Sequence, residues 1–319
     1  MISKVMNLTK PSSNRNIKNL KNILSLATIP KFQLFDTSLR DGLQTLPIES
    51  HELASINFKL NLYDEIYNTH TPKFIEIGSI VSPKVFPVFK DTVPLIYQLF
   101  TKKYDNSGIF VLIPNSKKME YFLQFNIEHP IHFSFITSFS ETFQKKNVNK
   151  SIQESENELD KIFFLLKNRN LQYKPILKLY ISCFKDCPFD GTIDTNFIVD
   201  KIIQYSQLPV NIICLSDTCG TLNAADIKLI FDKCETHNID FTKIGIHLHN
   251  NNNPLNSIHN ENRINCVLGE CFQRNIIHYD VSLIEHGGCP LAAKNGQLPN
   301  LTYDQFYIAI NEFQKHHKK

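Results

Sequence analysis

The 319-residue sequence contains no apolar run near the roughly 18 residues of a membrane span, so no span is expected. It also lacks a concentrated basic face. Its 34 Lys and Arg and 31 Asp and Glu are spread along the chain, giving a net charge of +3, and nucleic acid is not an expected partner. No secretory apolar segment opens the chain, and none of the eight cysteines forms a C-x-x-C pair. Cys183 and Cys187, Cys214 and Cys219, and Cys266 and Cys271 are all spaced too widely. These absences exclude a disulfide framework and a paired zinc pattern, and most of the thiols read as reduced core residues. Acid is missing before Asp36, whereas Lys4, Lys10, Arg15, Lys18, Lys21 and Lys31 all fall there. A transit peptide has this character, and so does a basic, flexible extension of an Asn- and Lys-rich chain. Residues 1–31 are assigned to such an extension, and a cytoplasmic or a mitochondrial location fits it.

What the chain has is apolar mass: 42% hydrophobic against 20% charged residues support a sizeable core. Eight β-branched or aromatic runs read as strands: 32–36, 73–78, 108–113, 131–137, 176–182, 210–216, 244–249 and 276–283. Stretches of helical period separate them, among them 50–67, 149–169, 195–207 and 223–237. Ser151 and Glu154 have capping-box spacing, and Leu159, Phe163 and Leu166 then recur as on one buried helix face. Strand and helix in alternation predict parallel pairing through crossovers. The expectation is an α/β fold, a closed parallel TIM (β/α)8 barrel, as a single domain over 32–319. An open doubly wound sheet is the alternative, and the missing Gly-rich phosphate fingerprint after the first strand counts against it. Residues 250–265 read as an Asn-rich insertion.

In such a barrel, chemistry gathers at the C-terminal ends of the strands. Arg40 and Asp41 follow the first strand, Glu76 lies near the end of the second, Asp217 follows the sixth, His247 and His249 close the seventh, and Cys289 follows the eighth. The His-x-His pair is the strongest metal signal, because alternate strand residues share a face. With Asp41 across the barrel mouth it makes a mixed N/O site for Mg²⁺, Mn²⁺ or Zn²⁺. Arg40 reads as an electrophilic clamp, with Glu76 to orient it. Cys289, beside Gly287 and Gly288, is expected on a mobile loop from which a thiol can move a proton.

The ordered segments RDGLQ (40–44), IEIGSIVSPK (75–84), VLIPNSK (111–117), KKNVNKSIQES (145–155), SCFKDCPFDGTI (182–193), SDTCG (216–220), HLHN (247–250) and GGCP (287–290) carry a resemblance. Over most of residues 32–310 the chain resembles the 3-hydroxy-3-methylglutaryl-CoA lyase family of metal-dependent TIM-barrel lyases. The resemblance implies retro-Claisen cleavage of an acyl-CoA, with Asp41, His247 and His249 binding Mg²⁺ or Mn²⁺. It gives Arg40 and Gln44 to the substrate, and Arg40, Glu76, Asp217 and Cys289 to catalysis. Lys145 and Lys146 are placed where coenzyme A phosphates dock. A homodimer is compatible with it.

Four features depart from the family pattern. Gly296-Gln297 stands where a Gly-Asn pair supplies a fourth metal ligand, so Gln297, Asn295 or water is expected there. Cys214 replaces a serine, HLHN replaces HxHD, and about nine residues are inserted after HLHN. A Claisen-condensing synthase of the isopropylmalate or citramalate type, and a barrel kept only for binding, are the alternative functions.

Overall fold

All eight expected runs form strands: β1 (Gln33–Asp36), β2 (Phe74–Ser79), β3 (Gly108–Leu112), β4 (Ile131–Ser138), β5 (Leu177–Ser182), β6 (Ile212–Ser216), β7 (Ile244–His247) and β8 (His278–Val281). The structure is a computed structural model that describes residues 32–44, 46, 54–102, 107–169, 171–251, 257–285, 287–292 and 298–317. The N-terminal extension expected over 1–31 lies outside the described residues, as do 252–256 of the Asn-rich stretch. Every barrel pair is parallel, and the sheet closes in the order β1-β8-β7-β6-β5-β4-β3-β2. This is the (β/α)8 barrel, and the open-sheet alternative is set aside.

Nine helices among the described residues surround it: α1 (Ile56–His70), α2 (Thr92–Thr101), α3 (Ser116–Leu123), α4 (Glu141–Val148), α5 (Ile152–Asn168), α6 (Thr195–Ser206), α7 (Ala224–Thr236), α8 (Ser257–Gln273) and α9 (Tyr303–His317). Polar N-caps fix where several of them start. Ser55, Asn115, Ser140, Asp194 and Asn223 each accept a hydrogen bond from a backbone amide of the first turn, satisfying a donor that the helix itself leaves unpaired. The capping box at α5 is complete: Ser151 Oγ accepts from the Glu154 amide at 3.0 Å, and Glu154 Oε2 accepts from the Ser151 amide at 2.7 Å. The buried face of α5 is centred on Ile152, Ser155, Leu159 and Ile162, with Phe163 and Leu166 at its edge rather than at its middle. α1 begins six residues later than position 50, behind the Ser55 cap. A two-stranded hairpin, Asp186–Cys187 with Gly191–Thr192, occupies the loop between β5 and α6.

Strand pleat sends alternate residues to the two sides of the barrel wall. Outward residues such as Ile75, Ile77, Leu179 and Leu215 pack in the main core beneath the helices. Inward residues fill the barrel in layers. Phe35, Phe74 and Phe110 cluster near the N-terminal ends, and Leu112, Tyr180 and Cys214 cluster further along. Between them run Glu76, Ser134, Lys178 and Asp280, all buried. A TIM-barrel interior is usually filled by branched aliphatic side chains, so this polar layer calls for a functional reason.

Candidate active site

Beyond β1 the chain does not enter an ordinary α-helix. Residues Ser38–Gly42 wind as a π-helical turn, with the amides of Arg40, Asp41 and Gly42 all directed at the Thr37 carbonyl at 3.1, 2.8 and 3.2 Å. Turns of this kind recur at functional sites. Here two adjacent charged residues are both buried at the barrel mouth. Arg40 Nε donates to Glu76 Oε2 at 2.5 Å and Nη1 donates to Asp41 Oδ1 at 2.5 Å. Glu76 also accepts from Ser134 Oγ and from Tyr180 Oη, and the Tyr180 ring centre lies 5.0 Å from the guanidinium carbon. Arg40 is therefore fixed from three sides. Burial opposes its charge, but Glu76 and Asp41 more than offset that and hold its pKa above the ordinary range.

Across the mouth, His247 and His249 turn their Nε2 atoms toward each other at 3.1 Å. One ligand atom each from Asp41, His247 and His249 lies within 4.8 Å of the others, and all three residues are buried. The protonation states suit a cation. Burial pushes the Asp41 carboxyl up, but Arg40 and the two imidazoles outweigh it and keep the group well below the usual carboxylate range. Burial, with His247 beside it, pushes the His249 imidazole down to about 3, so the ring is neutral at pH 7.

The GGCP segment closes this side. Gly288, at φ +90°, donates its amide to Asp41 Oδ2 at 2.9 Å. A side chain at Gly287 would collide with the Asn300 side chain, its Cβ only 2.1 Å from Nδ2. Asn300 pairs through its backbone with His249, and both polar atoms of its buried amide have no hydrogen-bond partner among the described residues. An amide in that state is costly unless something else occupies it. Asn295 and Gln297, the two expected stand-ins for a fourth ligand, lie outside the described residues. Asn300 escaped the sequence reading because the fourth ligand was sought only as far as Gln297.

A cavity of about 340 Å³ opens at this rim, lined by Arg40, Asp41, Gln44, Tyr180, His247, His249 and Cys289 among others. Cys289 is half-buried against Phe143, Cys183 and Cys187, and burial pushes its thiol up to about 11. Asp217 is not brought to the cavity. Its carboxylate accepts from the amides of Thr221 (3.0 Å) and Leu222 (3.2 Å) and from Arg263 Nη1 (3.1 Å), while Arg263 Nη2 donates to the His249 carbonyl at 2.7 Å. Burial raises its pKa despite Arg263 and those amides. Lys145 and Lys146 are not cavity residues either. Lys145 pairs with Glu141 on the surface and Lys146 sits over the Phe189 ring, whereas Lys118 and Lys150 line the cavity. Tyr180, on β5 and not among the expected site residues, is a cavity residue.

Fold and site together define a (β/α)8 barrel with a cavity and a group able to hold a metal ion at its C-terminal rim. The chain belongs to the HMGL-like family, whose model matches residues 31–253. It is 26% identical over 286 residues to the mitochondrial hydroxymethylglutaryl-CoA lyase of Homo sapiens, covering 89% of this chain and 80% of that one. It is 25% identical over 291 residues to the 3-hydroxy-3-isohexenylglutaryl-CoA/hydroxy-methylglutaryl-CoA lyase of Pseudomonas aeruginosa, covering 90% and 87%. The crystal structure of HMG-CoA lyase from Bacillus subtilis has the same fold, with a TM-score of 0.72 at 22% identity over 89% of this chain and 87% of that one. Among the described residues no helix is long and apolar enough to cross a membrane.

Proposed function

We propose that the protein is a divalent-cation-dependent carbon–carbon lyase that cleaves 3-hydroxy-3-methylglutaryl-CoA, or an acyl-CoA of the same pattern, to acetoacetate and acetyl-CoA. The observation that carries this reading is the convergence of Asp41, His247 and His249 within 4.8 Å, next to a buried guanidinium in a cavity. An ionised carboxylate and two imidazoles form a donor set that fits Mg²⁺ or Mn²⁺. The unpartnered amide of Asn300 supports a fourth donor, and we assign Asn300 that place instead of Asn295, Gln297 or water. When bound, the cation supplies Lewis acidity that makes a substrate hydroxyl easier to deprotonate.

The protein's own residues account for the rest. The tertiary hydroxyl gives its proton to solvent in the open cavity and becomes the ketone of acetoacetate. The adjacent C–C bond breaks, and its electron pair moves onto the thioester as an enolate. That enolate takes a proton at carbon to give acetyl-CoA, so the step needs no oxidant or reductant. Arg40, locked by Glu76, Asp41 and Tyr180, faces the developing negative oxygen without having to reorganise. Cys289 stays a protonated thiol at neutral pH, as a donor to the enolate carbon must be, and solvent later returns a proton to the Cys289 thiolate. Gln44 contacts the acyl-CoA from the cavity wall. Asp217, held by its own loop, acts on position: through Arg263 it secures the His249 backbone.

Purified protein with Mg²⁺ and 3-hydroxy-3-methylglutaryl-CoA should release acetoacetate, measured by coupling to hydroxybutyrate dehydrogenase. No acetoacetate, together with free thiol from acetyl-CoA and a 2-oxo acid, would overturn the reading in favour of a condensing synthase.

A further inference from the structure

Below the cation site, and outside the cavity lining, lies a buried pair of opposite charges that the cleavage chemistry does not use. Lys178 Nζ on β5 donates to Asp280 Oδ1 on β8, across the inside of the barrel. Lys178 is 1% exposed and Asp280 3%. The ammonium is also held over the rings of Phe35 and Tyr180, 3.4 and 4.4 Å from their centres. The second oxygen of Asp280 faces upward. It lies 3.0 Å from His247 Nδ1 and 3.7 Å from Cys214 Sγ.

A buried ion pair is weak evidence for stability, since its desolvation cost rivals its attraction and apolar residues of similar volume often do as well. Its geometry relative to His247 points to another role. An ionised carboxylate can only accept, so the ring atom facing it must carry the proton. With the proton at Nδ1, the Nε2 lone pair points at the space shared with Asp41 and His249.

We propose that Asp280, pinned by Lys178, is a positioning residue that fixes His247 in the Nδ1–H form and so makes its Nε2 a cation ligand. The inference rests on the cation-site reading given above. Lys178 holds one carboxylate oxygen and leaves the other for the imidazole, so the carboxylate cannot swing away. Outer carboxylates of this kind typically change metal affinity by about 10- to 100-fold.

Two substitutions separate this role from a structural one. Lys178→Met/Asp280→Leu removes both charges together and leaves no unpaired ion, so the fold should survive with unchanged or higher thermal stability. Its Mn²⁺ affinity, titrated by electron paramagnetic resonance, should nevertheless fall about 10- to 100-fold. Lys178→Met/Asp280→Asn restores a carbonyl acceptor opposite Nδ1 and should recover most of that loss. Equal Mn²⁺ affinity in wild type and the Met/Leu variant would overturn the proposal while leaving the cation site standing. Absence of Mn²⁺ binding in the wild type would instead remove the cation-site reading. A measurement without any variant covers that case and a failure to fold. ¹⁵N-histidine NMR of the cation-free wild type at pH 7.5 should show His247 protonated at Nδ1 and bare at Nε2. The opposite tautomer, or rapid averaging between the two, would overturn the assignment.

Discussion

At the N-terminal end of the barrel interior, Phe35, Phe74 and Phe110 meet with ring centroids 4.7 to 5.8 Å apart. Two residues further along the strands, the same interior carries Glu76, Ser134, Lys178 and Asp280, followed at the mouth by Asp41, His247 and His249. The lower end is built as a core: apolar, with tilted and edge-on ring contacts that contribute beyond the area they bury. The upper end removes three carboxylates, the cationic side chains of Lys178 and Arg40, and two imidazoles from water. Each is stabilised only through a specific partner, so geometry there is dictated by hydrogen bonds and not by volume. The barrel thus separates a part that holds the fold from a part that holds chemistry, and each should fail in its own way when altered.

Phe110→Ala should have the largest effect. Truncating a fully buried ring typically costs about 3–5 kcal/mol, read as a lower urea midpoint, with the cation affinity of the folded molecules unchanged. A comparable loss of cation affinity would show that the two ends are not separable. Arg40→Gln should do the reverse. Loss of one preorganised donor lowers kcat by about 100- to 1000-fold, with KM less affected and the secondary structure intact by circular dichroism. A variant within a few-fold of wild type would remove Arg40 from the chemistry.

Acid should act first through the buried imidazoles, His249 at the mouth as well as those of the lower end, and reach Asp280 last. Burial, with Lys73 nearby, pushes His132 down to about 4, and burial, with Lys178, does the same to His278. Below pH 6.5 the unfolded chain takes up protons that these folded rings refuse. Their contribution to stability is therefore complete above pH 6.5 and is lost as pH falls toward 4. Asp280 is shifted in the same direction but in a lower window: burial raises it, but Lys178 and His247 outweigh burial and hold it at about 2. Its contribution persists until pH falls below the ordinary carboxylate range and disappears near 2. Urea midpoints measured from pH 8 to 4 should thus decline below 6.5, and His132→Gln should flatten the decline. The smallest effect is expected away from both ends: Ser151→Ala, which removes the α5 cap, should cost about 1 kcal/mol in thermal denaturation without changing turnover.

The fold was legible because two periods and a few caps set it. Every barrel strand lies within its predicted run or one residue beyond, and Ser151 announces α5. The placement of Arg40, Asp41, His247, His249 and Cys289 at one rim followed from the rule that βα loops gather there, whereas Glu76 lies in the layer beneath. Other features depend on three-dimensional direction, which periodicity does not encode. Asp217 stands in the expected loop, yet the amides of Thr221 and Leu222 turn its carboxylate inward to Arg263. The π turn at Ser38–Gly42 and the hairpin after β5 have no hydrophobic period to reveal them. Lys178 did leave a signal, a lysine inside the apolar run ILKLYIS, and so did Asp280 inside IIHYDVSL. Two opposite charges on inward-facing positions of two strands predict a pair only once the closed barrel brings the strands face to face.

The claim that the upper end of the barrel is built around a divalent cation is tested most directly by electron spin-echo spectroscopy of the wild-type protein loaded with one equivalent of Mn²⁺. The account predicts coupling to two histidine nitrogens, both changed by ¹⁵N-histidine labelling and reduced to one in His249→Ala. Mn²⁺ that stays fully hydrated, or nitrogen couplings that survive unchanged in His249→Ala, would contradict it.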